Sequence, residues 1–335
     1  MEAQIAPAPV RWRAINTMAA AVLVQPGRFE TEQVSVPSIS EHQMLVRVEG
    51  CGVCGSDIPP FEGKPWFEYP MEPGAPGHEG WGTVVRVGQN VRDFGIGDRI
   101  GMLSTHAYAE FDVIESGAAV RLPQGLKDTP FPAEPLGCAL NIFRRSGIRG
   151  GDTVAVIGIG FLGALLTQLA TAAAASVIAI SRRGFSLDFA KRMGAAHVLK
   201  MAECASVVDQ VKQFTGGRLC DVVIEATGKQ LPLDLAGELT CERGRLIVAG
   251  YHQDGPREVN MQLWNWRGLD VINAHERDPT VYRAGMEAAV RTVESGSVDP
   301  FALYTHRFEL DELGQALEMS RARPAGFMKA LIMMP

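Results

Sequence analysis

The stretch Thr153–Gly163, TVAVIGIGFLG, decides how this chain is built. Its first five residues are apolar or β-branched throughout, the pattern of a strand buried on both faces. Gly158, Gly160 and Gly163 then form G-x-G-x-x-G, with Phe161 and Leu162 between the last two, and a helical pattern follows. The first glycine permits a tight turn. The second lets the backbone approach a pyrophosphate, and the third lets helix and strand pack closely. The helix start offers free N–H groups and a positive dipole end to phosphate. A strand before the loop and a helix after it turn a weak glycine pattern into a dinucleotide-binding signal.

Reading onward, SVIAIS (176–181), VVIEATG (222–228), RLIVAGY (245–251) and LDVINAHE (269–276) are further strand patterns separated by helical ones. Strands alternating with helices predict a doubly wound parallel sheet of the Rossmann kind, expected over residues 141–275. At the end of the second strand an NAD site usually carries Asp or Glu for the ribose 2′-hydroxyl. This chain has Ser181, Arg182 and Arg183. A carboxylate repels a 2′-phosphate, whereas arginine binds one by charge-assisted hydrogen bonds, so NADP(H) is expected over NAD(H).

Reading backward, AAAVLVQ (19–25), MLVRVEG (44–50), GWGTVVRVG (80–88) and YAEFDVI (108–114) are short strands bounded by Gly, Pro and Asp. They predict an antiparallel, partly barrel-like unit. The tail 306–334 reads as strand, helix, strand, after an amphipathic helix over roughly 280–294. Residues 1–17 have no apolar core of signal-peptide length and read as a poorly ordered extension. The most apolar run, 164–180, reaches membrane-spanning length only by joining a helix to a strand. Six cysteines in 335 residues without a secretory signal fit a reducing, cytoplasmic setting. A net charge of −6 without a basic run argues against nucleic-acid binding.

The other chemical signal is GCGVCGSD (50–57) with PGHEG (76–80) and AEPLGC (133–138). Cys51 and Cys54 form C-x-x-C, which alone does not separate a zinc clip from a redox dithiol. With His78, Glu79 and Glu134 the chain holds thiolate, imidazole and carboxylate donors, the set that binds zinc with one position left open. Widely separated in sequence, they would have to converge in the fold.

With GVCGSD, PGHEGWGTVVRVG, VRDFGIGDRI, AEPLGCALNIFRRSGIRGGDTVAVIGIGFLG, AKRMGA, GRLIVAG, THRFELDELGQALE and GFMKALI in order, the chain resembles the zinc-dependent medium-chain dehydrogenases/reductases. Sorbitol and polyol dehydrogenases are most similar. The resemblance implies a GroES-like, mainly-β catalytic domain, residues 18–140 and 276–335, beside the Rossmann domain. It implies that Cys54 rather than Cys51 binds one catalytic zinc with His78, and that Glu79 or Glu134 is the third ligand. Asp57 would orient the His78 ring, and Ser56 would touch the substrate oxygen and pass on its proton. Thr227 would lie near the nicotinamide-side ribose, and Lys329 near the cofactor phosphates. Trp66, His275, Glu276 and Arg277 are candidates for the substrate pocket.

Two departures stand out. A relay histidine is common in the family two residues after Asp57, where this chain has Pro59, followed by Pro60. The four-cysteine lobe expected after GDRI is missing, so no structural zinc is expected. The resemblance implies reversible hydride transfer between NADP(H) and a secondary alcohol (polyol, sugar or cyclitol-like) or its ketone, in a homodimer or homotetramer. The alternatives are a zinc-free enone or quinone reductase of the same superfamily and a non-catalytic NADPH-binding regulator.

Overall fold

The computed structural model describes residues 16–201 and 204–335. The expected extension therefore lies mostly outside the described residues. Its last residue, Thr17, already opens strand β1 (Thr17–Gln25), which pairs antiparallel with β2 (Arg28–Ser35).

A seven-stranded sheet follows, built from β3 (Gln43–Gly52), β4 (Glu79–Val87), β5 (Arg99–Met102), β6 (Phe111–Glu115), β7 (Ala119–Arg121), β14 (Tyr304–Glu309) and β15 (Lys329–Met333). Its order is β14-β15-β3-β4-β5-β7, with β6 also on β3. The C-terminal strands thus return to the N-terminal sheet, and Leu331–Met333 pair with Gly50–Gly52. Between β5 and β6 lie only residues 103–110, which contain no cysteine.

The second sheet holds β8 (Thr153–Ile157), β9 (Ser176–Ser181), β10 (His197–Lys200), β11 (Cys220–Glu225), β12 (Thr240–Val248) and β13 (Asp270–Asn273). All pairings are parallel, in the order β10-β9-β8-β11-β12-β13. Renumbered from β8 this is 3-2-1-4-5-6, the dinucleotide-binding order of the Rossmann fold. The alternation of side chains explains the continuous apolar runs. Val154 and Val156 pack into one core, Ala155 and Ile157 into another on the opposite face. Each buried Val or Ile contributes roughly 1.5–3 kcal/mol.

The helices are α1 (Ile58–Phe61), α2 (Ala133–Ser146), α3 (Phe161–Ala172), α4 (Gly184–Arg192), α5 (Cys204–Phe214), α6 (Gln230–Leu239), α7 (Met261–Arg267), α8 (Pro279–Glu294) and α9 (Leu313–Ala322). The core formed by α2, α3 and α8 also takes in Trp81, Val120 and Leu331 from the first sheet, so the two sheets share packing where they meet. No helix among the described residues is long and apolar enough to cross a membrane.

Candidate active site

At the end of β3 the two cysteines part. Cys51 is fully buried, and burial pushes its thiol well up. Cys54 leaves the strand and opens a short turn, Gly55–Asp57. The Asp57 carboxylate folds back to accept from the Cys54 backbone N–H at 2.9 Å and from the Tyr108 hydroxyl at 2.7 Å. Its other oxygen lies 3.3 Å from His78 Nδ1, which is also 3.0 Å from the Pro76 carbonyl. Those acceptors assign the proton to Nδ1 and leave the Nε2 lone pair free. Nε2 lies 3.4 Å from Ser56 Oγ. Burial opposes protonation of His78, but the Asp57 carboxylate and Cys54 outweigh it and hold its pKa well above the usual range, so a metal on Nε2 would bind in competition with a second proton there.

Donor atoms of Cys54, His78 and Glu79 all lie within 4.8 Å of one another, the one such group among the described residues. A thiolate, an imidazole and a carboxylate so disposed fit a catalytic zinc position. Two buried oxygens beside it are held by ionic contacts within the protein, Asp57 Oδ1 by His78 Nδ1 and Glu79 Oε2 by Lys329 Nζ.

Glu134 sits in the first turn of α2, 7% exposed, and accepts from the Cys138 thiol at 3.1 Å. Cys138 in turn lies 3.8 Å from the Tyr282 hydroxyl on α8. Burial raises the Glu134 carboxyl, with His78 opposing and Glu79 adding. Burial and the neighbouring Glu134 push the Cys138 thiol well up, so Cys138 acts as a donor.

Lys329 departs from expectation. It is 5% exposed, and its Nζ lies 2.5 Å from Glu79 Oε2. Burial alone lowers its pKa, but the carboxylate of Glu79 carries it above the usual range. The charge expected beside the cofactor phosphates is committed to Glu79, because the start of β15 places the side chain under the metal group. Its Nζ also stands 4.9 Å from the Phe161 ring centroid, so this one side chain joins the metal group to the start of α3.

At that start Gly158 has φ +96°, and a Cβ there would meet the Thr227 methyl at 2.3 Å. A Cβ on Gly163 would lie 2.0 Å from the Gly158 carbonyl oxygen. Gly160 differs: a Cβ would meet nothing within 4 Å. Packing does not demand glycine there, and the open space before the free N–H groups of α3 fits a pyrophosphate. Leu162 packs against the core behind the loop. The Thr227 hydroxyl donates a hydrogen bond to the fully buried Glu225 carboxylate at 2.5 Å. The same carboxylate accepts the Thr227 and Gly228 N–H groups and lies 3.0 Å from His252 Nε2.

The end of β9 separates its three candidates. Ser181 is buried and its hydroxyl accepts the Arg183 N–H at 3.3 Å. Arg183, expected to bind phosphate, instead donates to the Phe327 carbonyl at 2.7 Å and the Ile159 carbonyl at 3.3 Å. Arg182 is exposed and forms no ion pair among the described residues.

The proposed pocket residues do not join this group. Trp66 is 58% exposed and contacts Phe67. His275 stacks on Tyr251 and its carbonyl accepts from Arg145. Glu276 accepts the N–H groups of Arg277 and Asp278, ordering the turn before α8. The residue this region sends to the site is Tyr282, one turn into α8. Sequence reading passed over Tyr282 and Tyr108. Only Cys138 carried a signal, lying four residues, one helical turn, after Glu134.

The fold and site together define a nucleotide-dependent oxidoreductase of the zinc type. Residues 40–121 match the alcohol dehydrogenase GroES-like domain, and residues 162–291 match the zinc-binding dehydrogenase family. The chain belongs to the zinc-dependent medium-chain dehydrogenase/reductase superfamily, as an alcohol/polyol dehydrogenase-type enzyme. An alcohol dehydrogenase of Cupriavidus necator is 27% identical, with 94% of this chain and 98% of that one covered. A sorbitol dehydrogenase of Halalkalibacterium halodurans is 25% identical, with 87% and 92% covered. The crystal structure of a protein described as a zinc-binding dehydrogenase, from Sinorhizobium meliloti and bound to NADP, is 27% identical with a TM-score of 0.81, covering 95% of this chain and 99% of that one.

Proposed function

We propose that this chain interconverts a secondary alcohol of the polyol, sugar or cyclitol kind and its ketone, using NADP(H) and one catalytic zinc. The observation that carries the reading is Lys329, which touches Glu79 of the metal group on one side and Phe161 of the phosphate loop on the other. Metal group and dinucleotide loop are therefore neighbours. Zinc held by Cys54, His78 and Glu79 would polarise a carbonyl or carbinol oxygen, a Lewis-acid contribution of up to roughly 10 kcal/mol if its effect on water is a guide.

The chain's own groups do the rest. Asp57 holds the His78 ring and the Cys54 backbone in place. Ser56 is the hydroxyl nearest His78 Nε2 and is suited to take the substrate proton. Pro59 and Pro60 are buried in α1 and carry no proton onward, so the route leaves Ser56 by another path. Glu134, held by Cys138, stands as a reserve carboxylate beside Glu79. Tyr282 lines the same side and is suited to contact a polyol hydroxyl.

The absence of a carboxylate at Ser181–Arg183 supports NADP(H). Arg182 is the exposed arginine, so it carries the preference. Wild-type protein is expected to reduce NADP+ with a higher kcat/KM than NAD+ on a polyol and cyclitol panel. Arg182→Ala should cut the NADP+/NAD+ ratio by about 10–100-fold, the worth of a hydrogen bond to a charged group. Equal use of both cofactors by the wild type would overturn the preference. No turnover on any alcohol, with NADPH still bound, would point to a regulator.

We also propose a homodimer through β13. This strand is a sheet edge, with Val271 40% exposed and Trp266 88% exposed beside it. An unpaired edge flanked by large apolar groups suits pairing with a second copy about a two-fold axis. Val271→Lys with Trp266→Glu should convert dimer to monomer in light scattering. A wild-type monomer would refute the interface. The six cysteines are all free, which supports a reducing, cytoplasmic location.

A further inference from the structure

Asp57 orients the His78 ring, and a group 51 residues further along the chain holds Asp57 in turn. We propose that Tyr108 is a positioning residue for the metal group. Its hydroxyl fixes the Asp57 carboxylate, and the carboxylate sets the His78 ring. This rests on the zinc reading above and adds to it a residue that determines how tightly the metal is held.

The two oxygens of Asp57 divide the work. Oδ2 accepts from two donors, the Tyr108 hydroxyl at 2.7 Å and the Cys54 backbone N–H at 2.9 Å. Oδ1 is left to face His78 Nδ1 at 3.3 Å. Asp57 is 1% exposed, so water is not at hand to replace a lost donor. The ring has a second acceptor, the Pro76 carbonyl, at 3.0 Å. Its Nδ1–H therefore stands between a neutral partner and a charged one. A carboxylate fixed in place keeps the charged partner within reach. An ionised acceptor on the far nitrogen makes a ligating imidazole more basic and fixes its plane.

Tyr108 is itself rigidly placed. It is fully buried and comes from the short connection between β5 and β6. Its N–H donates to the Gly74 carbonyl at 3.1 Å, and its carbonyl accepts from the Ala21 N–H at 2.9 Å. Ala109, which follows, bridges to Ala20 of β1. The ring lies against the backbone that leads into His78. A Cβ on Gly77 would stand 2.5 Å from the Tyr108 nitrogen and 2.9 Å from its ring Cγ, so that position needs glycine. The ring belongs to the core of the first sheet, and phenylalanine would fill the same space. Packing therefore calls for the ring and not for the hydroxyl. Of the two acceptors near that hydroxyl, the Gly52 carbonyl is the more distant, at 3.3 Å. Asp57 takes the proton's bond.

The test uses full-length protein, with zinc affinity measured by competition against a chromogenic chelator. Wild type, Tyr108→Phe, Asp57→Ala and the double variant are compared, and thermal unfolding of the zinc-free forms monitors the fold. Tyr108→Phe should weaken zinc binding about tenfold, the lower end of what losing an outer partner of a metal ligand costs. In the Asp57→Ala background the same change should cost less than about twofold, because the acceptor it serves is gone. Cobalt in place of zinc gives a second readout on the single variant. Its visible bands should shift in Tyr108→Phe as the ring loses its fixed placement. Unchanged zinc affinity or unchanged cobalt bands in Tyr108→Phe, or an equal loss with and without Asp57, would overturn the proposal and leave the tyrosine a packing residue. Wild-type protein that binds no zinc would instead sink the zinc reading on which it rests.

Discussion

Cys54→Ser should lose most of its bound zinc and at least about 10²–10³-fold in kcat/KM while remaining folded. Removing one donor to a developing negative charge already costs that much in other enzymes, and a ligand loss removes the Lewis acid altogether. The fold should survive because Cys54 lies outside the strand, on a turn, and contributes nothing to the packed core. Cys51 gives the contrast. It is fully buried in the core of the first sheet, so Cys51→Ser should affect stability and leave zinc content alone. Asp57→Asn lies between them. It keeps the shape but weakens the hold on the His78 ring, and a loss of 10–100-fold in metal affinity is expected. The check is metal analysis beside kcat/KM for the three variants. Zinc retained by Cys54→Ser but lost by Cys51→Ser would reverse the assignment of the two cysteines.

The second large effect is on stability. In zinc-stripped protein, Lys329→Met should cost about 3–5 kcal/mol, because it leaves the Glu79 charge buried without a partner. Glu79 is 1% exposed and Lys329 5%, so water cannot replace either partner. Glu79→Gln combined with Lys329→Met removes both charges and should recover most of the loss. Denaturant midpoints of wild type, both single variants and the double variant give the coupling directly. The pH dependence has a definite sign. Since Glu79 holds the Lys329 pKa above its ordinary range, the contribution is fully present below the unfolded value of about 10.4 and is lost as pH rises through the folded one. Lys329→Met should therefore flatten the alkaline limb of the stability curve. Additive single-variant effects would show that the pair is not coupled.

The same lysine marks the limit of what the sequence disclosed. Local period disclosed the parallel sheet, because strands buried on both faces read as unbroken Val and Ile runs. The Cys54–Asp57 turn was equally legible, since its spacing is local: the Asp57 carboxylate reaches back three residues to the Cys54 N–H. Lys329 was visible as a base, but its partner Glu79 is 250 residues away in the chain. No local pattern links them, so the expected phosphate contact gave way to a buried ion pair. Arg183 failed for a related reason. Its neighbour Arg182 has the same chemistry and the same sequence context, and only the fold turns one outward and ties the other to the Phe327 and Ile159 carbonyls. Tyr282 was hidden because the turn before α8, rich in charge, drew the reading to His275, Glu276 and Arg277. The helix then carried the apolar-looking tyrosine to Cys138 instead.

Zinc dependence of alcohol oxidation tests the central claim most directly. NADP+ reduction should be followed on the polyol and cyclitol panel with purified protein, after removal of zinc, and after its return. About one zinc per chain, turnover abolished by stripping and restored by zinc, is the predicted result. Undiminished turnover of an enone or quinone with NADPH in protein free of metal would contradict it and identify a zinc-independent reductase of the same superfamily.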